Sequence, residues 1–107
     1  MENLIIVYWR DIPAQIIIGK GRGAKKVALN SRFEHAIDRC AMKVGAKDAD
    51  SYISEWHKKV IGKITRNEDS ILQKVTMIET TYSPERVKRI IDNNGWDNIK
   101  SDLGFED

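Results

Sequence analysis

Leu4-Ile5-Ile6-Val7-Tyr8-Trp9-Arg10-Asp11-Ile12-Pro13-Ala14-Gln15 is the stretch whose reading decides the fold. Its first six residues are apolar, and most are β-branched or aromatic, the types that fit a pleated strand. They do not alternate with polar residues, so the strand is apolar on both faces and reads as internal. Arg10-Asp11-Ile12-Pro13 interrupts it, because proline donates no ladder hydrogen bond and favours a turn or an edge. Ala14 to Ile18 then reads as a second strand, most simply antiparallel to the first. A lone hairpin is marginal in water, so helices must cover at least one of its faces.

Outward from this hairpin, Gly19-Lys20-Gly21-Arg22-Gly23-Ala24-Lys25-Lys26 is a flexible basic loop, and Val27-Ala28-Leu29 a short third strand. Ser31-Arg32-Phe33-Glu34 has the pattern of a capping box. Phe33, Ala36, Ile37, Cys40, Ala41 and Val44 follow at helical spacing, which predicts a helix from Arg32 to Val44, stopped by Gly45. Tyr52, Ile53, Trp56 and Val60 predict a second helix from Asp48 or Asp50 to about Ile61, ended by Gly62. A third helix is expected over Ser70–Thr81 on the stripe Ile71, Val75, Ile78 and Tyr82. Ser83-Pro84-Glu85 opens a fourth, with serine as cap, proline at the first position and an acid on the dipole. Asn93-Asn94-Gly95 closes it, and Trp96 to Asp107 reads as a loosely docked acidic tail, pinned by Trp96 or Leu103.

The expected architecture is α+β: a two- or three-stranded N-terminal antiparallel sheet packed against about four helices. One domain fills residues 1–107, with the hairpin and basic glycine-rich loop in 1–29, a helical part in 30–95 and the acidic tail in 96–107. At 107 residues, 41% hydrophobic and 32% charged, the chain can build one core with a modest stability margin. A partner, or a second copy in a homodimer, would add to that margin. The charge is uneven: residues 1–66 hold 13 Lys/Arg and 7 Asp/Glu, about +6, and residues 67–107 hold 5 and 9, about −4. The front half suits an anion or an acidic partner, unless the two halves answer each other in the fold. A single cysteine, Cys40, excludes an internal disulfide and a cysteine-based zinc site, and suggests a reduced, cytoplasmic setting. Met1-Glu2-Asn3 lacks a basic leader, and the longest apolar run is too short to cross a membrane.

Two candidate sites stand out. Trp9-Arg10-Asp11 leaves the first strand, and an arginine between aromatics binds carboxylate or phosphate while stacking on a ring; the alternative is a packed turn. Lys20, Arg22, Lys25 and Lys26 among three glycines suit a phosphate or nucleic acid, though the loop has neither the P-loop nor the dinucleotide spacing; the alternative is a solvated connection. His35 lies on the outer face of the first helix, about 200° from Phe33, with Asp38 one turn away, while Cys40 faces inward as a small core residue. His57 and His35 have no metal spacing, so no metal or cofactor is expected. No nucleophile motif or paired-carboxylate constellation favours an enzyme.

Val7 to Gln15, with Arg32-Phe33-Glu34-His35-Ala36-Ile37-Asp38-Arg39-Cys40-Ala41-Met42 and Ser51-Tyr52-Ile53-Ser54-Glu55-Trp56, resembles the small bacterial "virulence factor" domain family. It is similar to the C-terminal part of the conserved virulence factor C proteins, where the domain accompanies an iron–sulfur scaffold domain and helical repeats. The resemblance covers roughly residues 3–60 and continues as helix pattern beyond Lys63. It implies no catalytic activity, and iron–sulfur binding does not transfer because the scaffold's cysteine pair is absent. Three functions follow in order: a non-enzymatic binding module for a protein partner through Trp9, Arg10 and Asp11; nucleic-acid or phosphate binding through the basic loop; and a small enzyme or subunit in one-carbon or cofactor metabolism using Arg10, Asp11 and His35.

Overall fold

The computed structural model describes residues 1–46 and 48–97. Its strands are β1 (Glu2–Trp9), β2 (Ile12–Ile18), β3 (Lys25–Ala28) and β4 (Trp56–Ile64), and its helices are α1 (Ser31–Lys43), α2 (Ala49–Ile53), α3 (Glu68–Thr81) and α4 (Pro84–Asp92). The sheet is antiparallel and four-stranded, in the order β3-β2-β1-β4. The α+β class expected from the sequence is therefore present, with more sheet than foreseen.

The non-alternating first strand is internal, flanked by β2 and β4. Its hairpin closes tightly, with Trp9 opposite Ile12 and only Arg10 and Asp11 between. Ala14 is an extra residue where the register shifts between Val7–Gln15 and Tyr8–Pro13. β3 pairs only with Gln15–Ile18, so Pro13 sits where β2 has no second neighbour and its missing donor costs nothing.

The main departure is at Trp56–Ile64, expected to finish a helix and found instead as a nine-residue strand. Only Ala49–Ile53 is helical, capped by Asp48, whose carboxylate accepts from the Ser51 N–H. Hydrogen bonding along the open edge of β1 outweighs the weak helical spacing of Tyr52, Trp56 and Val60. Val60, Ile61 and Ile64 favour a strand, and Gly62 disfavours a helix by about 1 kcal/mol. As an edge strand, β4 carries Lys58, Lys59 and Lys63 and a bulge at Ile61, features that discourage edge-to-edge pairing. Smaller departures lie at helix starts: Asn30 caps α1 in place of Ser31, and Asn67 starts α3 two residues early. Ser83 and Pro84 open α4 as the sequence predicts.

Register assigns every sheet residue to a face. Leu4, Ile6, Tyr8, Ile16 and Ile18 share one face and join Phe33, Ile37, Ile71, Ile78, Val87 and Ile90 in the core cluster. Ile5, Val7, Gln15, Ile17, Lys26, Lys58, Val60 and Lys63 share the opposite, outer face. Ile5, Val7, Ile17 and Val60 stand outside the core cluster and its packed fringe, whereas Trp9 and Ile12, at the hairpin end of the same face, belong to the cluster and Trp56 packs against it. Among the described residues, no helix is long and apolar enough to cross a membrane. The acidic tail beyond Asp97, including Leu103, lies outside the described residues.

Candidate functional site

The Trp9-Arg10-Asp11 turn is built as a clamp. Two residues must reverse the chain, and Arg10 does so with φ of +51°, a left-handed conformation that costs a non-glycine residue about 1–2 kcal/mol. The surroundings hold it there. The Arg10 N–H donates to the Glu55 carbonyl at 3.0 Å. Its guanidinium reaches the Glu55 carboxylate through Nε at 3.0 Å and Nη2 at 2.8 Å, and donates from Nη1 to the Asn94 carbonyl at 2.6 Å. The same group lies 5.4 Å from the Trp9 ring centre and 5.2 Å from that of Trp96. The Arg10 carbonyl pairs with His57 Nε2; a carbonyl only accepts, so Nε2 carries the hydrogen. Asp11 donates its N–H to the Gly95 carbonyl at 2.8 Å and accepts from the Asp97 N–H at 2.7 Å.

These bonds tie the hairpin to residues 52–57 on one side and 94–97 on the other. Trp9 is fully buried and its indole N–H donates to the Tyr52 carbonyl at 2.9 Å. Gly95 has φ of +94°, and a Cβ there would meet Arg10 Cδ at 2.7 Å and Cys40 Sγ at 3.1 Å, so only glycine fits. Asp97 in turn pairs with Arg86, Nη2 to Oδ2 at 2.6 Å, with side chains only 9% and 4% exposed. Arg86 also lies over the Tyr82 ring at 4.5 Å. Burial, then the neighbouring Tyr82, pushes the Tyr8 hydroxyl far above the usual tyrosine range. Burial likewise pushes the Cys40 thiol up, with Arg10 and Lys43 opposing. The family-like string thus places its aromatics in the core and its charges on internal partners.

The basic loop is dispersed. Lys20 and Arg22 are exposed around a 3-10 turn at Gly21–Gly23, whereas Lys25 and Lys26 lie on β3 and point to opposite faces. Gly19, at φ of +85°, has a packing reason of its own: a Cβ there would meet Glu2 Oε1 at 2.6 Å, within the Glu2–Arg66 ion pair. His35 stands apart from both sites, in a groove of about 290 Å³ between α1 and α4, with Arg32, Arg39 and Lys88. Among the described residues no carboxylate comes within ion-pair distance of His35, Arg39 or Lys88. Arg32 is anchored, donating to the Glu79 and Tyr82 carbonyls at 2.7 and 2.8 Å. Among the described residues no three His, Cys, Asp or Glu side chains converge as a metal site would require.

Sequence reasoning missed three features. The outer face, with Ile5, Val7, Ile17 and Val60 inside Lys26, Lys58 and Lys63, exists only because β4 is a strand. The Arg86–Asp97 pair joins α4 to the segment after it, and no local sequence pattern marks it. A depression lined by Glu34, Asp38, Tyr52 and Trp56 joins α1 to the outer face. The apolar character of β1 on both faces was the one available signal for the first.

No curated protein and no solved structure matches this chain. A family model described as "Virulence factor" matches residues 7–91, which take in β2, β3, β4 and every helix but the last residue of α4, and the chain belongs to that family.

Proposed function

We propose that the protein is a non-enzymatic binding module that docks a protein partner on the outer face of its sheet. The observation that carries this reading is the absence of alternation in β1. An antiparallel sheet with one wet face alternates apolar and polar residues, yet Ile5 and Val7 are apolar on the side away from the core, as is Ile17 beside them. Ile5 is half-buried and Val7 and Ile17 are shielded at 8% and 6% exposure, so the patch opens to solvent chiefly at Val60, 57% exposed. Lys26, Lys58 and Lys63 surround it, and no acidic residue occupies a paired position on that face. A partner with an apolar centre and an acidic rim fits this chemistry. The family description names a phenotype and adds no mechanism. A gently prepared extract of the producing cell tests the reading by gel filtration. The native chain should elute in a complex well above monomer mass, and a Lys26→Glu/Lys58→Glu/Lys63→Glu variant should return to monomer mass. Elution of both at monomer mass would remove the reading.

A second reading rests on the α1–α4 groove, where His35, Arg39 and Lys88 stand without a carboxylate partner among the described residues. An inorganic phosphate titration should shift the His35 ring resonances in the native chain and not in Arg39→Ala/Lys88→Ala. Equal shifts in both would discard the groove as an anion site.

A further inference from the structure

We propose that the depression between α1 and the outer sheet face binds an organic cation, an alkylammonium or guanidinium group, between the Tyr52–Trp56 corner and the carboxylates of Glu34 and Asp38. Its volume is about 300 Å³, at the small end of ligand sites. Tyr52 and Trp56 meet edge to face, with centroids 6.0 Å apart and planes at 78°, so they form a right-angled corner and not a flat stack. Aromatic faces carry negative potential, and both rings of the corner line the depression beside the two carboxylates.

Glu34 and Asp38 are four residues apart on α1, so they lie on one side of the helix, where like charges repel. Neither has a base within ion-pair distance among the described residues. Both carboxylates line the depression together with the aromatic pair, and burial first, then Asp38 and more weakly Glu34, push the Tyr52 hydroxyl up against an opposing hydrogen bond with Trp56. Ile37 supplies apolar lining for an alkyl chain, and Gln15 a side-chain amide. The polarity is the reverse of the surrounding surface. Residues 1–66 are basic overall, yet every charged residue lining this depression is acidic, which repels the anions that the α1–α4 groove would attract. A hard metal ion fits poorly, because two aromatic walls take the places of oxygen ligands.

Two sources can supply such a group: a free amine, or a Lys or Arg side chain of the partner on the outer face, to which Gln15 and Ala28 also belong. Only the second source rests on the proposed docking function. The test is an NMR titration of the whole chain with butylammonium chloride, sodium chloride serving as the ionic-strength control. The Trp56 indole N–H and Tyr52 ring signals should shift saturably with butylammonium alone, while the amide signals of α3, which contributes nothing to the depression, stay put. Glu34→Gln/Asp38→Asn should weaken binding by about tenfold or more. Both substituted residues are exposed, so the fold should persist, which unchanged amide shifts outside the depression would verify. No saturable shift up to roughly 50 mM, an equal response to sodium, or equal affinity in the double variant would each overturn the proposal. The source is read from the gel-filtration complex: Glu34→Gln/Asp38→Asn dissociates it if the cation belongs to the partner and leaves it intact if the ligand is a free amine.

Discussion

The two faces of the sheet are built from the same residue types and have different fates. On the covered face Leu4, Ile6, Ile16 and Ile18 are at most 1% exposed beneath helices. On the outer face, Ile17 at 6% and Val7 at 8% are shielded without joining that cluster, and Val60 is open. The covered face also holds the polar devices: Tyr8 against Tyr82, and the Arg86–Asp97 pair beside them. The outer face holds Lys26, Lys58 and Lys63, with no acidic residue at a paired position among the described residues. The contrast is the one on which the proposed docking function rests.

The largest effect should come from Arg86→Ala, which removes the buried guanidinium that the Asp97 carboxylate pairs with. A loss of about 3–5 kcal/mol in urea unfolding is expected. A loss below about 1 kcal/mol would mean that the covered side is not the structural one. Next, Ile6→Ala should cost about 2–5 kcal/mol through lost burial and a cavity. Its counterpart Val60→Ala on the outer face should stay within about 0.5 kcal/mol. Similar costs at the two positions would erase the distinction between the faces.

A subtler probe is alkaline pH. The Tyr8 hydroxyl is raised in the fold, so the folded state keeps its proton after the unfolded chain has released it. The associated stability is fully present below the unfolded value near pH 10 and declines as pH rises above it. Tyr8→Phe should therefore flatten the fall of Tm between roughly pH 9.5 and 11. An unchanged slope would show that Tyr8 is not held neutral by the covered face.

Much of this was readable in the sequence. The hairpin, the apolar stripe of α1 and the Ser83-Pro84 start of α4 carry local signals strong enough to survive tertiary context. β4 was not readable, because Tyr52, Trp56 and Val60 mimic helical spacing and only the free edge of β1 selects a strand. The site was legible in part. Trp9-Arg10-Asp11 was visible as an unusual string, but its partners Glu55, Asn94, Gly95 and Asp97 are distant in sequence. The basic loop looked convergent as a list of residues, and strand alternation pulls Lys25 and Lys26 apart. The outer patch was implied by the missing alternation of β1, yet its lysine rim needed the register of three strand pairs.

The most direct measurement places a photo-crosslinking residue at Val60 or at Leu72, exposed positions on the outer face and on α3. Each variant is irradiated in the producing cell. The expected result is one discrete heteromeric adduct from position 60 and none from position 72. That adduct should disappear in Lys26→Glu/Lys58→Glu/Lys63→Glu at unchanged Tm. Equal adducts from both positions, or an adduct at position 60 that survives the charge reversal, would contradict the assignment of the outer face as the partner surface.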